Sequence, residues 1–213
     1  MEIYFATSNE NKFAEARDIF SAHAPSHTLK HFQFLHNEIR SDDLSEIAEE
    51  AATVAYSKLK KPVFVEDTGL FIDALNGFPG TYSGWVQKKI GNKGILKLLE
   101  TEETAEESKS SWKKEKNRAA RFETVVCFTA DGKEFVNFRG ICEGTIAEKP
   151  RGVSGFGYDP IFIPAGHKQT FAENIELKNK LSHRYKSIML FIEYLNDYYG
   201  CSSVENLLNK NIG

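Results

Sequence analysis

Residues 62–85, PVFVEDTGLFIDALNGFPGTYSGW, constrain the fold more than any other stretch of this 213-residue chain. The stretch begins with a proline and the apolar run at 63–65, which is typical of a parallel strand covered on both faces. Glu66 and Asp67 follow this run directly. Ligands of open α/β sheets bind just beyond the carboxyl ends of the strands. These two acids are therefore candidates for metal binding or proton transfer.

An ordinary helix cap is the alternative interpretation of Asp67. Because Thr68 and an apolar run follow it, Asp67 could cap a short helix over 70–75. The dipeptide at 76–77, Asn-Gly, would then end that helix, since glycine suits the left-handed conformation common at helix ends. One acidic pair does not decide between these interpretations, so other segments must.

The first third of the chain alternates between strand and helix patterns. Strand patterns lie at 3–6, 28–35 and 63–65, and helical spacing of apolar residues marks a helix after the first strand and another at 44–59. This alternation predicts an α/β sheet with parallel crossovers.

The middle of the chain has a different pattern. Residues 119–129, 134–139 and 141–147 predict three antiparallel strands, with the turn signal Asp131-Gly132 between the first two. Before them, a charged stretch at about 101–118 is interpreted as an exposed insertion. These strands are expected to extend into a separate lobe.

A polar loop with phosphate-binding chemistry follows the first strand. Backbone N–H groups at a helix start, together with hydroxyl, amide and lysine side chains, can cradle phosphate oxygens. The loop residues are Thr7, Ser8, Asn9, Glu10, Asn11 and Lys12. The glycines of a Walker-type loop are missing, and an ordinary cluster of N-cap residues is the alternative.

Two later segments suit a nucleotide base. In the loop at 153–160, small residues allow close backbone approach while Phe156 and Tyr158 offer flat faces to a purine. A tight turn leading into a strand at 161–163 is the alternative. His183 and Arg184 follow a good N-cap, Ser182, and a positive side chain in the first helical turn opposes the helix dipole. That misfit favours a ligand role for the pair.

Composition excludes several classes of function. The net charge of −3 with mixed signs indicates no nucleic-acid partner. No apolar stretch is long enough to cross a bilayer, so we expect no membrane partner. Three widely spaced cysteines outside any zinc pattern, and a start without a basic and apolar leader, predict reduced thiols and a cytoplasmic protein.

Five separated segments occur in a specific order: TSNENK at 7–12, Glu38, VEDTGLFIDALNGFPGTYS at 65–83, GFGYDP at 155–160 and KNKLSHR at 178–184. Together they resemble the Ham1-type family of inosine triphosphate pyrophosphatases over nearly the whole chain. The resemblance implies one two-lobed α/β domain over 1–213, with a central mixed sheet flanked by helices and a long nucleotide-binding cleft. It also implies a homodimer that uses Mg²⁺ to hydrolyse ITP, dITP and XTP to the monophosphate and pyrophosphate.

The resemblance assigns roles to individual residues. Asp67 corresponds to the catalytic aspartate, and Glu38 and Asp67 to the Mg²⁺ ligands. The residues expected to bind substrate are Thr7, Ser8, Asn9, Glu10, Asn11 and Lys12 for the triphosphate, Phe156, Gly157, Tyr158 and Asp159 around the base, and in addition Thr68, Lys178, His183 and Arg184. The chain departs from the family pattern at Ser8, where glycine is usual, and at 49–53, where many members carry Asn and Lys.

Residue chemistry is consistent with this mechanism. We expect Glu66 to raise the pKa of its neighbour Asp67, because adjacent like charges disfavour ionisation. Lys12 and Lys178 would neutralise phosphates, and the Arg184 guanidinium would donate to the 6-oxo group of the base. Two other functions stay open: hydrolysis of another modified nucleotide, such as a pyrimidine, and non-catalytic nucleotide sensing.

Overall fold

The computed structural model describes residues 1–100 and 117–200. Its helices and strands alternate in the first third of the chain, as predicted. The strands are β1 (Glu2–Thr7), β2 (Thr28–Gln33), β3 (Val63–Ile72), β4 (Pro79–Gly80), β5 (Ala119–Thr129), β6 (Val136–Ile146) and β7 (Phe162–Pro164). The α-helices are α1 (Glu10–His23), α2 (Leu44–Leu59), α3 (Ser83–Leu98), α4 (Ile175–Leu181) and α5 (His183–Leu195).

The strands form one mixed seven-stranded sheet in the order β2-β1-β3-β5-β6-β7, with β4 paired to β3. Strand β1 is parallel to both β2 and β3. Strands β4 and β7 are antiparallel to their neighbours β3 and β6. The mixed sheet with its helices confirms the predicted α/β fold class.

The chain divides into two compact units. Within the described residues, unit 1 contains 1–67, 124–140 and 183–200, and unit 2 contains 68–100, 117–123 and 141–182. Each unit has its own apolar core. Strand β3 passes from unit 1 into unit 2 between Asp67 and Thr68.

Aromatic rings dominate the core of unit 1. Phe64 of β3 is fully buried and stacks on Phe5 of β1 at 4.4 Å, with Phe191 of α5 at 5.0 Å. Burial of one such ring contributes about 1.5–3 kcal/mol. Helix α5 also passes very close to β6 at Gly140, where an added Cβ would collide with the backbone of His183 and Ser187. A glycine is therefore needed for α5 to begin at this position.

The core of unit 2 packs around the second half of the sheet. Phe162 contacts Phe122 of β5 at 4.6 Å and Phe171 at 5.2 Å between ring centroids. Helix α3 covers this core with Val86 and Ile95, and it is broken at Gly91, whose φ of 61° and ψ of −169° are not helical. That region of backbone conformation is essentially restricted to glycine.

Two predicted elements are wrong. No helix covers 70–75: β3 continues to Ile72 because Leu70 and Phe71 pair with β4, and only a 3₁₀ turn follows. Asp67 therefore does not cap a helix. The strands predicted at 134–139 and 141–147 are one continuous strand, β6.

Other differences concern boundaries or features that the pattern missed. Helix α4 was not predicted, and the weak second strand ends at Gln33. The left-handed residues at 76–77 are present as expected, with φ of 50° and 84°.

Several expectations fall partly or wholly beyond the described residues. Residues 101–116 of the predicted insertion and Cys201 lie outside them. Arg118, at the end of the predicted insertion, donates hydrogen bonds to the carbonyl oxygens of Ile146 and Ala147. Cys127 is a buried free thiol, and Cys142 is also buried. Within 1–100 and 117–200, no helix is long and apolar enough to cross a membrane.

Candidate functional site

The parallel strands of unit 1 bring several predicted site residues to one edge of the sheet. Phe5 of β1 pairs with Phe64 of β3, and Thr7 pairs with Gln33 of β2. Continuing the β1–β3 register puts Glu66 level with Thr7, and Asp67 level with Ser8. Asp67 therefore lies beside the polar loop that follows β1, although β3 itself continues. This is the edge at which α/β sheets bind ligands.

The polar loop begins α1 with a complete cap. The Asn9 side chain accepts hydrogen bonds from the backbone N–H groups of Asn11 and Lys12, at 3.0 and 3.3 Å. The Thr7 hydroxyl accepts from the Asn9 N–H at 3.1 Å. Ser8 lies between them, and Glu10 is the first residue of α1. The N-cap alternative is thus realised, and a phosphate would reach the N–H groups of Asn11 and Lys12 only by displacing Asn9.

Glu66 is the centre of a buried ionic network in unit 1. The Arg184 Nε and Nη2 atoms each donate to a Glu66 carboxylate oxygen at 2.7 Å, and Arg184 Nη1 donates to Glu15. Lys12 Nζ lies 3.3 Å from Glu66 Oε1 and also donates to the Glu66 carbonyl oxygen. The side chain of Glu66 is 0% exposed and that of Arg184 is 2% exposed. Such a bidentate pair fixes orientation as well as charge.

The network gives Arg184 a structural role in addition to the one expected of it. Burial alone would lower the pKa of the guanidinium, but Glu66 and Glu15 more than offset this effect and raise the pKa. Arg184 is a permanent cation that holds two carboxylates. These contacts use three of the five guanidinium N–H donors, and donation by Arg184 to the 6-oxo group of a base stays a prediction.

Glu66 and Asp67 do not act as one acidic pair. Successive side chains of a strand point to opposite faces, and the Glu66 charge is balanced by Arg184 and Lys12. These ion pairs offset the Glu66 charge, and the expected effect of Glu66 on Asp67 stays a prediction. Asp67 is half-buried on β3 and remains the candidate base.

Glu38 lies in the irregular segment between β2 and α2, where it is exposed. In the described part of the chain, no cluster of three or more His, Cys, Asp or Glu side chains is arranged to hold a metal. Two carboxylates nevertheless suit Mg²⁺, which keeps several waters and binds phosphate oxygens. The donor chemistry of Glu38 and Asp67 fits that ion, and their metal role stays a prediction.

In unit 2, the loop predicted to enclose the base is closed by a buried ion pair. Asp159 Oδ2 accepts from the Lys178 ammonium and from the Phe156 N–H, both at 2.7 Å. Lys178 Nζ also lies 4.3 Å from the centroid of the Phe156 ring. Gly155 has a φ of 74°, and an added Cβ there would collide with Asp159. The loop conformation therefore depends on both residues.

These contacts add a structural role for Lys178 to the predicted one. Its side chain is 2% exposed and its ammonium pairs with Asp159, and its contact with a phosphate stays a prediction. Through Asp159, Lys178 also holds the segment that carries Phe156. His183, the first residue of α5 in unit 1, is also buried.

Helix α3 ties the loop to Thr68 within unit 2. The Tyr158 hydroxyl donates to the Ser83 carbonyl oxygen at 2.9 Å, and burial raises the pKa of this phenol. The Ser83 hydroxyl in turn donates to the Thr68 carbonyl oxygen at 2.9 Å. The predicted substrate residues Thr68 and Tyr158 are thus connected through the first residue of α3.

Sequence reasoning missed four residues of the site. Glu15 lies three positions after Lys12 on α1, a spacing that shares one helix face. No comparable signal marks the other three, which contact the loop or Thr68 from α3. The four are Glu15, Ser83, Gln87 and Asn92.

Comparison with known proteins shows one consistent similarity. The Ham1 family profile matches residues 3–194. A protein of Methanopyrus kandleri named dITP/XTP pyrophosphatase is 46% identical over 202 residues, which cover 94% of this chain and 100% of the relative. A protein of the same name from Saccharolobus solfataricus is 45% identical and covers 93% of this chain and 95% of the relative.

Solved structures show the same relationship. The structure of a HAM1 protein from Coxiella burnetii matches with a TM-score of 0.75 at 28% identity, covering 92% of this chain and 99% of the other. The Staphylococcus aureus Ham1 protein matches with a TM-score of 0.72 at 29% identity, with the same coverage of both chains.

Proposed function

The chain belongs to the Ham1 family, and from that premise we propose that it hydrolyses noncanonical purine nucleoside triphosphates, dITP, ITP and XTP, to the monophosphate and pyrophosphate. The observation that carries the proposal is the register that puts Asp67 level with the polar loop after β1. A carboxylate at this edge can activate a water beside a bound triphosphate. The names of the relatives support the substrate class.

In the proposed reaction, Asp67 accepts a proton from water as the water oxygen attacks the α-phosphorus. The bond between that phosphorus and the α–β bridging oxygen breaks, and pyrophosphate leaves with the bonding electrons. The oxygen from water remains on the monophosphate. Lys12 is the cation of the polar loop itself, and its ammonium lies 3.3 Å from Glu66 Oε1.

Magnesium is the metal that we infer for this reaction, held by Glu38 and Asp67. When bound, it offsets negative charge that develops on the phosphate oxygens. Glu66 is not a proposed metal ligand, because its carboxylate is paired with Arg184 and Lys12 in a separate buried network.

The base is proposed to lie against the loop at 156–159. Phe156 and Tyr158 supply aromatic surface, and their positions are supported by the Asp159–Lys178 pair. Discrimination against guanine would arise if its 2-amino donor were buried without an acceptor. A buried unpaired donor costs about 1–3 kcal/mol, which corresponds to about a hundredfold at the upper end.

A cytoplasmic homodimer is the proposed form of the protein. Three aromatic side chains of unit 2 are exposed and close in sequence: Phe78 at 41%, Tyr82 at 42% and Trp85 at 63%. Aromatic residues are enriched in protein interfaces, so this region is the proposed contact. The free thiol of Cys127 supports a reducing compartment.

The test is a nucleotide panel. Purified protein with Mg²⁺ is given dITP, XTP, dGTP, dATP and a modified pyrimidine triphosphate, in water labelled with ¹⁸O, and the products are identified by chromatography and mass spectrometry. We expect turnover of dITP and XTP, with pyrophosphate as the first product and the label in the monophosphate.

Three results would contradict the proposal. Release of orthophosphate and a nucleoside diphosphate would place cleavage at the wrong bond. Equal efficiency on dGTP or dATP would refute the base selectivity. Binding of all nucleotides without turnover would indicate a sensor.

A further inference from the structure

The carbonyl oxygen of Gly157 accepts hydrogen bonds from two side-chain amides of α3. Gln87 Nε2 donates to it at 2.7 Å, and Asn92 Nδ2 donates at 3.1 Å. Gln87 Nε2 is also 3.3 Å from Asn92 Oδ1, so the two amides contact one another. The opposite orientation of the Gln87 amide would place two oxygens together, which fixes the assignment. A single backbone carbonyl in the middle of the predicted base loop thus accepts from two side-chain amides.

An unbroken helix could not make this arrangement. Residues five apart on a regular helix point in directions about 140° apart, so Gln87 and Asn92 would face different surroundings. Gly91 interrupts α3 immediately before Asn92, with a φ of 61° and a ψ of −169°. An L-residue with a Cβ rarely adopts this conformation. The break brings the second amide back to the same acceptor.

Placing Gln87 here also carries an energetic cost, because one of its polar atoms is buried without a hydrogen bond within the described part of the chain. Gln87 Oε1 is buried and accepts no hydrogen bond from any described residue. Burial of an unsatisfied acceptor is unfavourable, whereas an apolar side chain would fill this place on α3 without that penalty. The hydrogen bond from Gln87 Nε2 to the Gly157 carbonyl oxygen therefore accounts for a glutamine at this position.

We propose that Gln87 and Asn92 are positioning residues that fix the backbone at Phe156–Tyr158 and thereby set the affinity and selectivity for the nucleobase. This inference rests on the proposed function, because it assumes that the loop receives the base. Gly157 itself has a φ of 63°, so its peptide groups have more freedom than those of other residues. Two donors on one carbonyl restrict that freedom.

The experiment compares Gln87→Met, Asn92→Ala and the double variant with wild type. Lys88→Met is the matched control, because Lys88 is an exposed neighbour on α3. Steady-state kinetics are measured on dITP and dGTP with Mg²⁺. Loss of the two hydrogen bonds is expected to raise the KM for dITP about tenfold in the double variant. Since the scissile bond is remote from the base, kcat should stay within about twofold.

Selectivity is the second kinetic readout. In the double variant, a more mobile loop should lower the ratio of kcat/KM for dITP to kcat/KM for dGTP severalfold. Each single variant should change KM by less than the square root of the double effect, because one donor still holds the carbonyl. The Lys88→Met control should match wild type in every measurement.

Hydrogen exchange tests the loop without relying on activity. The backbone amides at 154–158 should exchange about tenfold faster in the double variant, while the strands of unit 2 keep their protection. If the wild-type protein turns over none of the panel, the proposed function fails, and exchange still decides whether the amides hold the loop. If the double variant does not fold, as judged by circular dichroism, the single variants carry the same test with effects of less than about threefold.

Two outcomes would overturn the inference. One is a folded double variant with wild-type KM, selectivity and exchange at 154–158. The other is an equal loss of kcat on both nucleotides that follows a drop in melting temperature, since this would indicate a purely structural role for the two amides.

Discussion

Removal of the Arg184 guanidinium should destabilise the protein far more than removal of an exposed arginine. The Arg184→Met substitution keeps most of the apolar stem but leaves Glu66, which is 0% exposed, with Lys12 at 3.3 Å as the remaining cation in its network. Breaking a buried ion pair from one side costs about 3–5 kcal/mol. Because Lys12 remains and Glu15 is 19% exposed and can rehydrate, we expect a loss near 3 kcal/mol.

Two further variants provide reference values for this loss of unfolding free energy. Arg17→Met is the matched control, since Arg17 pairs with Asp18 on the surface with side-chain exposures of 61% and 70%. Exposed pairs contribute about 0–1 kcal/mol, so this variant should remain close to wild type. Glu15→Gln should lie between the two, because it removes one charge and leaves the Arg184–Glu66 pair intact.

The assay is urea unfolding followed by circular dichroism at neutral pH. A slope of about 2–3 kcal/mol per molar urea converts the expected loss into a midpoint shift of about 1–1.5 M for Arg184→Met. A shift equal to that of Arg17→Met would refute the reasoning, because it would show that Glu66 does not need its partner. A large shift would also mean that any change in base preference of this variant must be measured only where it is folded.

Four other results are expected. Asp67→Asn should lower turnover about a hundredfold or more while nucleotide binding persists; near-native turnover at saturating Mg²⁺ would remove Asp67 from the mechanism. Glu38→Gln should raise the Mg²⁺ concentration needed for half-maximal activity, and an unchanged titration would discard Glu38 as a ligand. Asp159→Asn should weaken dITP binding, seen as a higher KM, because Lys178 loses its carboxylate; an unaltered KM would contradict this. Burial raises the pKa of the Cys127 thiol to about 12, so its stability contribution is full below about pH 8.5 and is lost as pH rises towards 12. In a Cys201→Ser background, Cys127 should react with a disulfide reagent only after unfolding, and rapid native labelling would disprove its burial.

The spacing of apolar residues was sufficient to predict those helices and strands that follow a single clear periodicity. Helix α2 and strand β5 begin and end where their apolar spacing indicates. Strand β3 was predicted too short because Leu70 and Phe71 belong to a brief apolar run, and periodicity cannot separate helix from strand in such a run. Pairing with β4 makes this run a strand. Because the pairing is a tertiary contact, the local sequence does not reveal it.

The candidate site was predictable as a set of residue types but not as a set of contacts. Arg184 is 118 residues from Glu66 and 169 from Glu15 in sequence, so no local spacing indicates which charges pair. For the same reason the sequence does not indicate that Lys178 pairs with Asp159. The amides of Gln87 and Asn92 converge only because α3 breaks at Gly91, a feature of backbone geometry.

The alternation of side chains along β3 makes this strand intolerant of changes in length. Glu66 turns inward to Arg184, while Asp67 takes the opposite face. One residue inserted or deleted between Phe64 and Glu66 would exchange the two faces. The aspartate would then occupy the buried ionic position, which its shorter side chain does not fill, and the glutamate would replace it beside the polar loop. Natural variation in this strand should therefore consist of substitutions, with length changes confined to the segments beyond Ile72.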